Sequence, residues 1–107
     1  MQPAAFHILL ALVEGDCHGY AIMKDVAART GGRIKLNPGT LYTTIRRLIE
    51  DGWISESGER PTPEMDDERR RYYRITPFGT DVARAEMRRL TELVRLARAR
   101  GLSPETA

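Results

Sequence analysis

The absences in this 107-residue chain narrow its chemistry first. It has one cysteine, Cys17, so no internal disulfide can form, which fits a reducing cytoplasmic compartment. No apolar run approaches the length that spans a membrane. The opening Met1-Gln2-Pro3-Ala4 lacks the basic stretch of a secretory signal. His7 and His18 are too far apart for a local metal motif, and Cys17-His18 has no further ligand beside it. A metal or redox role at Cys17 would need ligands from a partner chain; the plainer reading is a cysteine at a helix start. No glycine-rich phosphate loop precedes a helix, because Gly31-Gly32 stands where one ends. No local grouping of serine, histidine and acid marks a nucleophile, so an enzyme is the remotest reading and no cofactor is expected. Internal repeats are also missing. Lysine occurs only at Lys24 and Lys35, so most positive charge is arginine, which favours forked contacts to phosphate or guanine. Formal net charge is only +2, too little to establish nucleic-acid binding by itself.

The most informative stretch present runs from Asn37 to Leu48. Asn37 can cap free backbone N–H groups, and Pro38 suits a first helical position because its missing donor would be unpaired there. Leu41, Ile45, Leu48 and Ile49 recur at helical spacing and predict one buried stripe. Thr40, Thr43, Thr44, Arg46, Arg47 and Glu50 fall on the opposite face. Hydroxyls and guanidinium groups on one face can bond phosphates and base edges in a DNA groove. An ordinary solvated face explains the same pattern equally well, so the neighbouring segments decide.

Those segments predict a hairpin. Gly52 can stop the helix, and Trp53-Ile54-Ser55-Glu56 follows as a strand. Arg70 to Thr76 is rich in strand formers. The polar stretch between them, with Gly58, Pro61 and Pro63, is too long for a tight turn and is expected to form a wing. Arg60, Arg69, Arg70 and Arg71 could reach phosphate there, but Glu64, Asp66, Asp67 and Glu68 share the loop, and a merely solvated loop is an equal alternative. Upstream, Phe6, Leu9, Leu10 and Val13 mark one face of a first helix, while Ala5, Ile8 and Leu12 mark a second. One face is expected in the domain core and the other against a partner. Tyr20, Met23, Val26 and Ala27 mark a second helix, and Arg33-Ile34-Lys35-Leu36 alternates like a minor strand pairing with the wing.

The last element opens at Thr76-Pro77 and stops near Gly101, with Ser103-Pro104 beyond. Ala83, Met87, Leu90, Val94 and Ala97 form its stripe, and Val82, Leu93 and Leu96 widen it. A helix of about 36 Å overreaches a small domain. It is expected to be a dimerisation arm packing on the first helix of a second copy, with Phe6, Leu9, Met87, Leu90, Val94 and Ala97 at the interface. Folding back on its own domain is the alternative.

Several motifs then converge in order and spacing from about Phe6 to about Gly79: His18-Gly19-Tyr20, Pro38-Gly39-Thr40-Leu41-Tyr42 with Arg46-Arg47-Leu48, Gly52-Trp53-Ile54, and Arg71-Tyr72-Tyr73-Arg74-Ile75-Thr76 with Gly79. The chain resembles the PadR family of transcriptional regulators, in a short form with a single C-terminal helix. The family often has proline where this chain has Thr43, and a Glu-Ala pair where it has Pro77-Phe78. The resemblance implies a mainly α fold with a small β-hairpin: a winged helix-turn-helix over residues 1–76 and a dimerisation helix with a short tail over 77–107. It also implies a homodimeric repressor on double-stranded DNA. Two recognition helices would meet successive major grooves about 34–36 Å apart, so the operator is expected to be palindromic. The expected DNA contacts are Thr40, Tyr42, Thr43, Arg46, Arg47, Arg69, Arg70, Arg71 and Tyr73. Tyr42 could instead be partly core, and only one of Tyr72 and Tyr73 can face outward. Arg46 and Arg47 point about 100° apart, so at most one is expected to read bases. Family members are often released from DNA by a small, commonly aromatic molecule near the dimer interface. An inducer is therefore allowed here, with Phe6 and Tyr20 as its candidate lining and no aromatic residue after Phe78. A winged-helix module that binds protein instead of DNA is the alternative function.

Overall fold

The computed structural model describes residues 1–58 and 71–104. Its elements run α1 (Pro3–Val13), β1 (Cys17–His18), α2 (Gly19–Arg29), α3 (Pro38–Glu50), β2 (Ile54–Ser57), β3 (Tyr72–Ile75) and α4 (Pro77–Ala99). The three helices α1 to α3 pack around one core, the small sheet closes it, and α4 leaves along α1.

The core follows from helical spacing. Ile8, Leu9 and Leu12 of α1, Ile22 and Val26 of α2, Leu41, Ile45 and Leu48 of α3, and Ile54 of β2 are almost wholly buried. Each such side chain contributes about 1.5–3 kcal/mol relative to exposure. One expectation is corrected here. Leu9 is fully buried with Ala5, Ile8 and Leu12, so it belongs to the core and is not available to a second copy. Positions 5, 8, 9 and 12 form a single i, i+3, i+4, i+7 face. The outer face of α1 carries Leu10 and Val13, which are exposed, and Phe6, which is half-buried.

Caps set the helix boundaries. The His18 Nδ1 accepts from the Ala21 N–H at 3.1 Å and opens α2. The Asn37 Oδ1 accepts from the Thr40 N–H at 2.8 Å and opens α3, with Pro38 in its first turn. Gly52, at φ 78°, takes the left-handed conformation that ends α3 and turns the chain into β2.

The sheet has the order β1-β3-β2 and is antiparallel throughout. Besides the β2–β3 hairpin it includes β1, with Cys17 opposite Tyr73 and His18 opposite Tyr72. The strand expected at Arg33–Leu36 is absent, and that segment is an irregular connector. Its alternation arises because Ile34 and Leu36 pack against the core while Arg33 and Lys35 stay exposed. A polar clasp ties β3 to the residue that precedes β1. The Arg74 Nη2 donates to the Asp16 Oδ2 at 3.0 Å. The hydrogen bonds from Arg74 and Ser57 hold the Asp16 carboxyl below its usual range.

The fourth helix is fastened at its start. The Thr76 Oγ1 accepts from the Gly79 N–H at 2.9 Å and donates to the Gly52 carbonyl at 2.6 Å. The Thr76 N–H donates to the Trp53 carbonyl at 3.0 Å. The beginning of α4 is thereby tied to the turn that ends α3. Farther along, Met87, Leu93, Val94 and Leu96 are exposed. Among the described residues, no helix is long and apolar enough to cross a membrane.

Candidate nucleic-acid interface

Helix α3 divides cleanly. Leu41, Ile45 and Leu48 hold it in the core, and Thr40, Thr43, Arg46 and Arg47 are exposed on the other side. Asn37, Gly39, Thr40, Thr43, Thr44 and Arg47 line an open groove of about 520 Å³. Thr40, Thr43, Thr44 and Arg47 lie at i, i+3, i+4 and i+7, so they form one line along the helix. Arg46 is offset from Arg47 by about 100° and lies on the flank of that line. The two arginines therefore have different positions relative to a duplex that enters the groove.

Two expected DNA contacts are corrected. Tyr42 is buried against the start of α2, at the edge of the apolar arc that Leu41 begins. Tyr73 is only 2% exposed because β3 turns it into the core and turns Tyr72 out. Tyr72 meets the His18 ring edge-on, with centroids 5.5 Å apart. Arg71 is half-buried, and its Nη1 donates to the Glu56 Oε1 of β2 at 3.4 Å. Arg69 and Arg70 lie outside the described residues.

Tyr20 is also repositioned relative to expectation. It is exposed on α2, with the Lys24 ammonium 5.4 Å from its ring centroid, so it does not line an enclosed pocket. Lys24, Arg33 and Lys35 are exposed cations on α2 and the α2–α3 connector that the helix-face pattern of α3 did not single out. Their value as candidates comes from three-dimensional proximity of α2 to α3, which no local motif encodes.

The contact between Tyr42 and Gly19 positions α3. A side chain at Gly19 would collide with the Tyr42 hydroxyl and ring. Gly19→Ala is therefore expected to cost about 1–3 kcal/mol by overpacking. Urea melts of Gly19→Ala, Tyr42→Phe and the double variant check this. The double variant should recover part of the loss, and purely additive losses would show that the two residues do not press on each other.

A second, apolar groove of about 460 Å³ lies between α1 and α4, lined by Phe6, Met87, Leu90, Thr91, Val94, Arg95 and Arg98. Beside it, Glu86 is buried within the apolar stripe of α4. Arg89 grips both its oxygens, at 2.6 and 2.8 Å, and holds its carboxyl below the usual range. This fork lets a carboxylate sit where the spacing alone calls for an apolar residue.

Comparison with known proteins agrees with this geometry. The model of the Transcriptional regulator PadR-like family matches residues 8–85. The chain is 37% identical over 89 residues to Transcriptional regulator Rv3488 of Mycobacterium tuberculosis, covering 83% of this chain and 77% of that one. It is similar to the structure of a transcriptional regulator from Clostridium thermocellum, Cth-833, at TM-score 0.73 and 31% identity, over 94% of this chain and 90% of that one. The fold also matches Bacillus subtilis PadR, whose structure was solved in complex with operator DNA, at TM-score 0.67 and 17% identity, over 80% of this chain and 47% of that one. With the family model spanning most of the chain and two relatives above 30% identity, the chain belongs to the PadR-like family of transcriptional regulators.

Proposed function

We propose that this regulator is a repressor that binds a palindromic DNA operator as a homodimer, with α3 as the recognition helix. The observation that carries the reading is the division of α3. Leu41, Ile45 and Leu48 are locked in the core, while Thr40, Thr43, Thr44 and Arg47 line an open groove with Arg46 exposed on its flank. The operator complex of the Bacillus subtilis relative supports it by shared fold. Residues 1–76 act as the DNA reader and 77–107 as the dimerisation part. Thr40, Thr43, Arg46 and Arg47 are the contacts on α3. The test is binding to duplexes selected from random DNA, repeated across salt concentrations. Displacing counterions from phosphates makes affinity fall steeply with salt. Weak, salt-insensitive binding with no preferred sequence would favour a protein-docking module instead.

The dimer interface is the apolar strip formed by Phe6, Leu10 and Val13 of α1 with Met87, Leu90 and Val94 of α4, extended by Ala97. A second copy's α4 would cover it, burying side chains such as Val94 that stand 51% exposed. Val94→Glu is expected to give monomers by sedimentation at micromolar concentration, with helical content unchanged. Loss of the second half-site should weaken operator binding about 100-fold or more. A wild-type protein that sediments as a strict monomer, or a variant that stays dimeric, contradicts this interface. A small-molecule inducer that entered the groove between α1 and α4 beside Phe6 would compete there with the second copy's α4 and so loosen the dimer.

A further inference from the structure

The α3 groove also carries information about which bases it faces. Thr44 is distinct among its threonines. Its hydroxyl donates to the Thr40 carbonyl at 2.8 Å, which commits the proton to the helix backbone and fixes the rotamer. The hydroxyl has no further proton to give, so Thr44 can offer a base only an acceptor oxygen and its γ-methyl. Asn37, the amide that lines the groove, has its Oδ1 occupied by the Thr40 N–H. It cannot grip adenine with both ends, as a bidentate amide does. Among the described residues that line the groove there is no carboxylate to accept from cytosine. Arg47 supplies forked donors three residues beyond Thr44, about 4.5 Å farther along the axis. That is slightly more than the base-pair step of about 3.4 Å.

We propose that the groove reads a thymine through its 5-methyl, with the Thr44 methyl as the contact, one or two base pairs from a guanine held by Arg47. In the major groove only thymine presents a methyl, and guanine presents the O6 and N7 acceptors that match a guanidinium fork. The proposal deepens the recognition-helix reading and rests on it.

The experiment uses the full chain and an operator selected from random duplex DNA, with deoxyuridine replacing the assigned thymine. Deoxyuridine pairs like thymine but lacks the methyl. Wild-type affinity should fall about fourfold per half-site, the worth of one buried methyl group, and about fifteenfold with both half-sites changed. Thr44→Ser keeps the hydroxyl and loses the methyl, so it should bind both operators within about twofold of each other. Thr44→Val keeps a methyl and loses the hydroxyl, and it should still discriminate. Replacing the paired guanine by 7-deazaguanine should weaken wild type about tenfold and leave Arg47→Ala unaffected. Equal wild-type binding to thymine and deoxyuridine operators overturns the proposal, as does full discrimination by Thr44→Ser. So does a selected site with no thymine within two steps of a guanine. Failure to bind any duplex is a different result: it removes the recognition-helix reading itself, and this proposal with it.

Discussion

Arg47→Ala is expected to relax sequence preference sharply, at the guanine it reads, while leaving the fold intact. Arg47 is exposed and lies in line with Thr40, Thr43 and Thr44 at the mouth of the α3 groove. A bidentate contact to a base is worth about 1–3 kcal/mol, and a two-fold dimer makes it twice. The expected loss is about 2–6 kcal/mol, at least about 30-fold in affinity for the selected operator, with little change on random DNA. Arg46→Ala is expected to behave differently, because Arg46 lies on the flank of the α3 line, where a phosphate contact is expected in place of a base contact. It should weaken binding to all sequences alike and lower the salt slope by about one per protomer. Fluorescence anisotropy with both variants, on operator and random duplexes at several salt concentrations, separates the two effects. If Arg46→Ala alone relaxes sequence preference, the reading face is rotated from the groove described here. If neither variant changes binding, α3 is not the reading helix.

The second large effect is expected at Gly79. The backbone of Gly79 rests on the Trp53 carbonyl, and a Cβ there would lie well inside van der Waals contact with that oxygen. The neighbouring atoms have little room to yield. The same carbonyl accepts from the Thr76 N–H at 3.0 Å, and the Gly79 N–H is held by the Thr76 Oγ1 at 2.9 Å. Relief would require moving one backbone segment from another, at the place where α4 is tied to the end of α3. Gly79→Ala should therefore cost about 3 kcal/mol or more, at the upper end for overpacking. In a chain of this size that lowers Tm by about 12 °C or more. Differential scanning calorimetry checks it, and a Tm within about 2 °C of wild type would mean that the junction is loose. Because this junction joins the proposed dimer helix to the recognition helix, the variant protein that stays folded should also bind operator more weakly.

These effects differ in how far the sequence foretold them. The start of α3 was legible because Asn37 and Pro38 state a cap and a first turn in adjacent letters. The same holds for α4, where Thr76 and Pro77 open the helix and Gly101 follows its end at φ 95°. The apolar stripes gave the buried side of α3 because 3.6-residue periodicity survives in one helix. What escaped depends on partners distant in sequence. Leu9 sits at the border of two apolar faces, and only the packing of α2 and α3 decides which face is inside. Tyr42 is buried because Gly19 leaves space for its ring, a contact between separate helices. The pairing of Cys17–His18 with β3 involves two residues, too short a strand to show any alternation. The alternation of Arg33–Leu36 was real, but a connector packed on a core produces it as well as a strand does. Gly79 stood in the sequence only as a letter of the family motif, and its close approach to a backbone carbonyl leaves no trace in side-chain patterns.

The most direct test uses a chemical cleavage reagent placed on the reading face. Thr43→Cys in a Cys17→Ser background carries a single iron chelate on the exposed side of α3, and Ala99→Cys in the same background carries one at the exposed far end of α4, off its apolar stripe. With wild-type-like affinity for the selected operator, the chelate at position 43 should cut the duplex in two clusters, one per half-site, about 34–36 Å apart. The chelate at position 99 should cut far less. Equal cutting from both positions, or none from position 43 on a bound duplex, would contradict the assignment of α3 to the DNA groove.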